Sequence, residues 1–164
     1  MKPRYGSFQA EFFYVGFVKI HGRFVHVGFY RSLRDFEKYL KKRYGDVEHD
    51  REEFREFVED LEKYFSGKKI KFDYPVELSG TTFQLKVWRK VMEIPYGETR
   101  SYRWVAESIG RPRAARPVAN AVKNNSVALI VPCHRVIRSD GRIAGSGFGK
   151  KVREYLLRLE KAIT

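Results

Sequence analysis

The sequence predicts an α/β protein of the α+β kind in two lobes. A small sheet with helices occupies residues 1–78, and a mainly helical lobe occupies residues 79–164. Aromatic and β-branched residues crowd the first thirty positions, as strands prefer. Further along, apolar residues recur at helical spacing in six stretches. Charge is unevenly divided: residues 1–78 carry 16 Lys+Arg against 14 Asp+Glu, a net of +2, while residues 79–164 carry 17 against 6, a net of +11.

In the first lobe, Phe12 to Ile20 reads as a strand, His21-Gly22-Arg23 as a turn, and Phe24 to Tyr30 as the returning partner. His21 and His26 have no cysteine or carboxylate cluster beside them, so hairpin surface or core is expected rather than a metal site. Leu33, Phe36 and Leu40 mark a helix ended by Gly45. Asp50 is a candidate N-cap for a second helix, whose stripe is Phe54, Phe57, Val58, Leu61 and Phe65, closed by Gly67. Lys68 to Val76 alternates and is expected to be an edge strand, blunted by its lysines and Pro75. Leu78 to Thr81 reads as a linker.

The second lobe opens with a helix from Thr82 to about Ile94. Ser101 caps a helix through Ile109, and Gly110-Arg111-Pro112 breaks it. Another helix runs from about Arg113 to Lys123. Helix, short glycine-containing turn, helix is a helix-turn-helix signature. Val127 to Val131 is expected to be a short buried strand ended by Pro132. Ile143 to Gly149 is a glycine-rich loop, and the last helix runs from about Lys150 to Ala162.

Composition excludes several classes. No run approaches the roughly 18 apolar residues of a membrane span, and the start has no signal-peptide h-region. A single cysteine, Cys133, allows no internal disulfide and no multi-cysteine metal site. A reducing, cytoplasmic setting fits. The net charge of +13, with eleven arginines in residues 79–164, points to a polyanion, nucleic acid first. Two Gln and three Asn beside 32% charged residues resemble thermophile composition.

Cys133 sits in Val131-Pro132-Cys133-His134-Arg135-Val136. A thiol is a strong nucleophile only as thiolate, so the adjacent His134 matters. A turn at Pro132 would let the two side chains approach through a water. A lone cysteine is otherwise a small buried apolar residue, and the surrounding motifs must decide.

Those motifs resemble the O6-alkylguanine-DNA alkyltransferase family across residues 82–160. In order they are Phe83-Gln84 with Val87-Trp88; Ile94-Pro95-Tyr96-Gly97-Glu98-Thr99; Ser101-Tyr102; Ala114-Ala115-Arg116-Pro117-Val118; Asn124-Asn125; Pro132 to Val136; and Leu156 to Glu160. Pro-Cys-His-Arg alone would be weak, whereas the ordered set is specific. The first lobe matches in its strand-then-helix pattern, for which the resemblance implies a ribonuclease-H-like sheet.

The resemblance implies repair of double-stranded DNA containing O6-alkylguanine, and O4-alkylthymine as well, by a monomer without cofactor or metal. Cys133 would accept the alkyl group, His134 would take the thiol proton through a water, and Glu160 would orient the histidine. Tyr102 would donate to the leaving guanine, and Asn125 would hold the turn around the cysteine. Backbone carbonyls of Cys133 and Val136 would read the guanine amino group. Arg116 would replace the flipped base, Ala114 and Ala115 would permit close approach to the minor groove, and Ser101, Tyr102 and Arg135 would contact DNA. Val136, Ser146, Gly147 and Phe148 would line the pocket. The thioether product has no easy leaving group, so each molecule would act once.

The chain departs from the family pattern at Ser146, where a tyrosine is frequent, and at Pro117, where alanine is frequent. Two other readings are a lesion-binding protein without chemistry and a turnover cysteine hydrolase. The first lacks the cysteine that is present here, and the second predicts repeated turnover.

Overall fold

The computed structural model describes residues 2–164, which divide into two compact units, one ending at Glu77 and the other Leu78–Thr164. In the first unit, β1 (Arg4–Gln9), β2 (Tyr14–Ile20) and β3 (Arg23–Tyr30) are followed by α1 (Leu33–Arg43), β4 (Glu48–His49) and α2 (Arg55–Phe65). The sheet order is β3-β2-β1-β4. The β2–β3 hairpin turns at His21 and Gly22, both with positive φ (51° and 75°), as a two-residue turn matching strand twist demands. Ile20 pairs with Arg23 across it.

One face of the sheet packs on α2. Phe17 and Phe24 lie with ring centroids 5.0 and 4.6 Å from Phe57, and Phe54, Leu61 and Tyr64 complete a dry aromatic layer. Asp50 Oδ1 accepts from the Glu53 amide at 3.0 Å; it caps the turn that precedes α2 rather than α2 itself, which begins at Arg55. His26 is buried between two hydroxyls, Tyr30 Oη at 2.7 Å and Tyr39 Oη at 3.2 Å from its ring nitrogens.

One strand expectation needs correction here, and the first residues add a further strand to the hairpin. Residues 4–9 form β1, paired with β2 from Arg4↔Lys19 to Gln9↔Tyr14. Lys68 to Val76 is not an edge strand: it contributes a single bridge, Val76 with Phe24. Pro75 has no amide hydrogen to extend a ladder, and Phe72 is buried against Phe57 and Tyr64 instead.

The second unit contains α3 (Thr82–Val91), β5 (Arg100–Ser101), α4 (Tyr102–Ser108), α5 (Ala115–Lys123), a 3-10 turn at Cys133–Arg135, β6 (Val136–Ile137) and α6 (Gly147–Leu159). Thr81 and Gln84 form a reciprocal capping box at the start of α3. Val87, Trp88, Val91, Val105, Val118, Val122, Val131 and Val136 build one core. Within it Trp88 Nε1 donates to the Ala121 carbonyl at 2.8 Å. The chain turns from α4 into α5 at Gly110, whose φ is +76°.

Val127 to Val131 is buried as expected, apart from half-buried Ala128, but it is turns and not a strand. Leu129 takes φ +68°, and the Val131 amide donates back to the Val127 carbonyl at 3.0 Å. The fold thus lacks the strand expected before Cys133, and the short parallel pair β5–β6 follows it. A short buried apolar run fits either conformation, since burial and not pleating sets its composition.

Candidate active site

Pro132 and Asn125 set the position of the cysteine. The Asn125 amide nitrogen donates to the Val131 carbonyl at 3.0 Å, and its oxygen accepts from the Val127 amide at 2.9 Å. One side chain thereby satisfies both ends of the apolar turn, where a strand would have needed a partner. The chain then enters the 3-10 turn, with the Arg135 amide donating to the Pro132 carbonyl at 2.9 Å. Val136 pairs with Arg100 and Ile137 with Ser101, so the cysteine turn is tied to the N-terminus of α4, where Tyr102 is the first residue.

Cys133 is half-buried. Burial pushes its thiol up to about 12, while the Asn125 side chain and the Arg153 charge pull the other way. Tyr102 is half-buried and also raised by burial, so it stays a phenol and a donor.

His134 is buried, and its Nε2 lies 2.6 Å from Glu160 Oε2. Burial pushes the imidazole below its ordinary value; the Glu160 hydrogen bond and charge oppose that without overcoming it. Burial alone would raise the Glu160 carboxyl, but hydrogen bonds and charge from His134 and Arg135 hold it well below the usual carboxylate range. An ionised carboxylate only accepts, so His134 carries its proton on Nε2 and leaves Nδ1 as a base.

Glu160 does more than orient a histidine. Arg135 Nε donates to its Oε1 at 2.9 Å and Arg135 Nη2 to its Oε2 at 3.1 Å. The Gly97 amide donates to Oε1 at 3.1 Å. Gly97 has φ +80°, which favours glycine, and a Cβ there would stand a tight 3.2 Å from the Glu160 carbonyl.

Arg135, expected at the DNA interface, is a correction. It is buried, and its remaining Nη1 donates to the Ile94 carbonyl at 2.8 Å. Its guanidinium is spent on Glu160 and Ile94, which leaves it no face for phosphate. The sequence shows a cation but not the carboxylate twenty-five residues away that takes it.

The residues expected at the DNA surface otherwise share one region of the fold. Arg116 and Pro117 are exposed at the start of α5, with Ala114, Ala115 and Ala119 half-buried around them. Ser101 Oγ is engaged in capping, accepting from the Trp104 amide at 2.9 Å. On the loop side Val136 is buried, Ser146 and Gly147 are exposed, and Phe148 is half-buried. Ser146 occupies the N-cap position of α6 without a side-chain bond to the helix.

Arg153 was not singled out in the sequence. Its Nη2 donates to the Ala144 carbonyl at 2.5 Å. The signal for it was its place one helical turn beyond Gly149, on the face carrying the glycine-rich loop. Among the described residues no three His, Cys, Asp or Glu side chains converge to hold a metal ion, and no helix is long and apolar enough to cross a membrane.

Residues 82–162 match the family described as 6-O-methylguanine DNA methyltransferase, DNA binding domain. A methylated-DNA–protein-cysteine methyltransferase of Methanosarcina barkeri is 52% identical over 108 residues, 66% of this chain and 68% of that protein. One from Mycolicibacterium paratuberculosis is 46% identical over 125 residues, 76% and 75% of the two chains. Among solved structures, Mycobacterium tuberculosis OGT in complex with DNA superposes with a TM-score of 0.82 at 35% identity, covering 97% of this chain and 93% of that one.

Proposed function

The chain belongs to the methylated-DNA–protein-cysteine methyltransferase family, and from that premise we propose how its residues divide the work of alkyl transfer. The protein is a DNA-repair methyltransferase and DNA is its partner. The substrate we assign is O6-alkylguanine, with O4-alkylthymine beside it, and we assign both DNA binding and the acceptor to residues 79–164. A relative from Mycobacterium tuberculosis, 33% identical with a TM-score of 0.83, is named an O6-methylguanine methyltransferase.

The observation that carries this reading is the 2.6 Å contact between His134 and an ionised Glu160 beside the chain's single cysteine. His134 Nδ1 accepts the thiol proton through a water. The sulfur attacks the alkyl carbon; an S–C bond forms as the O6–C bond breaks, and its electron pair stays on O6. Tyr102 donates to the guanine ring nitrogen, so the base leaves neutral. The Cys133 carbonyl accepts the Val136 amide and keeps a second lone pair for the guanine amino group.

A base within a duplex cannot reach this thiol, so it must be extruded. Arg116, exposed beside the small residues Ala114, Ala115 and Ala119, is suited to fill the gap in the stack. The pair α4–α5 then acts as a helix-turn-helix in the minor groove. No cofactor is needed, the protein works as a monomer, and the thioether ends its working life.

Incubation with an oligonucleotide containing O6-methylguanine should add one methyl per protein molecule, on the peptide holding Cys133, as read by intact and peptide mass spectrometry. Repeated turnover, or a methyl elsewhere, would overturn the mechanism. Arg116→Ala should slow repair of duplex DNA by about 10²-fold or more while changing reaction with free O6-benzylguanine less than about threefold. Equal losses in the two assays would remove Arg116 from the flipping step.

A further inference from the structure

The sheet of the first unit has an edge left open over part of β1. Antiparallel pairing decides which groups face it. The Ala10 amide donates to the Phe13 carbonyl at 2.8 Å, so in the Gln9↔Tyr14 register Gly6 and Phe8 bond to β2, while Tyr5, Ser7 and Gln9 turn their N–H and C=O outward. The Tyr5 carbonyl accepts the Asp50 amide at 3.1 Å. There the cover ends, because β4 pairs only Arg4↔Glu48 and Tyr5↔His49. Ser7-Phe8-Gln9 runs on past it with neither a charge nor a proline to blunt it. The opposite edge is capped at Phe24, whose amide donates to the Pro75 carbonyl and whose carbonyl accepts the Glu77 amide.

Beside the open stretch of β1 lies a cavity of about 420 Å³. Next to Gly6, buried Phe17 and Phe54 and half-buried Val58 give it apolar walls. Glu59 and Glu62, exposed on α2, stand at its mouth. Its other acids are engaged, Asp50 with Arg4 and Glu52 with Arg55 at 3.3 Å; Arg51 lines it too. Tyr5 lies against Phe36 of α1, and Phe8 stacks on Phe65 of α2. Every second residue of a strand added to β1 would therefore face α2 and the cavity.

We propose that this edge docks an extended, basic segment of a partner protein, which adds as a strand at Ser7–Gln9 and sends a lysine or arginine into the cavity. Main-chain bonds to Ser7 and Gln9 set its register, and the cavity selects its side chain. A long cationic side chain has an apolar stem and a charged tip. The stem matches Phe17, Phe54 and Val58, and the tip meets Glu59 and Glu62. A second copy of this chain is the poorer occupant, because its own open stretch, Ser7-Phe8-Gln9, carries no cation. The site uses none of the residues assigned to alkyl transfer and does not rest on that reading.

The probe is a fluorescein-labelled peptide of about seven residues alternating lysine and valine, with an alternating glutamate and valine peptide as control. The lysine peptide should bind the full chain with a Kd of about 100 μM or tighter by fluorescence anisotropy, and the glutamate peptide about tenfold more weakly or worse. At saturation the lysine peptide should slow amide hydrogen exchange at Ser7 and Gln9 about tenfold. Ser7→Pro removes the outward N–H while leaving the bonds to β2, and should weaken the lysine peptide about tenfold. Glu59→Lys together with Glu62→Lys should reverse the preference between the two peptides, and this variant decides if Ser7→Pro does not fold. Equal affinity for both peptides, or unchanged exchange at Ser7 and Gln9, would overturn the proposal. So would a dimer by analytical ultracentrifugation in which those amides are already protected, which would give the edge to a second copy.

Discussion

Cys133→Ser should abolish alkyl transfer, by about 10⁴-fold or more, while leaving affinity for a lesion-containing duplex within about threefold. A serine hydroxyl is far less acidic and less nucleophilic than a thiol, and activation by an adjacent base cannot close that gap at carbon. The residues proposed to face DNA are untouched: Arg116, Ala114 and Ala115 belong to α5 and its entry, not to the cysteine turn. The backbone bonds of the turn, Cys133 amide to Val131 carbonyl at 2.8 Å and Arg135 amide to Pro132 carbonyl at 2.9 Å, do not involve the sulfur. Rate by mass spectrometry and affinity by fluorescence anisotropy separate the two effects. A variant that still gains a methyl would mean that another atom is the acceptor.

Glu160→Ala should cost about 3–5 kcal/mol of unfolding free energy, because it leaves Arg135 charged and buried with one carbonyl as its partner. That is a large part of the roughly 5–15 kcal/mol that holds a typical domain together. Glu160→Gln keeps the shape but not the charge and should lie between wild type and alanine. The same site predicts a pH dependence with a definite sign. Glu160 is held below its ordinary 4.5 in the folded state, so the unfolded chain binds more protons. Its contribution is complete above about that pH and is lost as pH falls through the folded value. His134 is also depressed, from 6.5, so it too favours the fold above that pH and loses ground on acidification. Melting temperature should start to fall below about pH 6.5 and fall more steeply below about pH 4.5. Glu160→Gln should flatten the lower limb, and an unaltered acid limb would refute the assignment.

What the sequence reveals and what it hides divide along a physical line. Caps are local: Thr81 with Gln84, and Ser101, bond backbone three residues away, and residue type alone announces them. The hairpin at His21-Gly22 is equally local. The turn from Asn125 to Val131 is not. Its apolar content says buried, but its path depends on a side-chain amide replacing a neighbouring strand. Arg135 and Arg153 fail for a related reason. A cation's identity does not say whether a carboxylate or a carbonyl from another element will meet it, and these two met Glu160 and Ala144. For the candidate site, residue type alone singles out Cys133 and His134, and the resemblance of the ordered motifs to a known family nominates Tyr102, Asn125 and Glu160. The count of donors converging on Glu160 could come only from the fold.

The position of the Cys133 sulfur also bears on how long an idle molecule keeps. With burial pushing the thiol up to about 12, the neutral thiol is the form favoured at neutral pH. Peroxide, stray alkylating agents and other thiols all need that ionised form. A protein whose nucleophile is spent in one event would be lost to any of them. Desolvation of the sulfur would protect it from such losses while no substrate is bound.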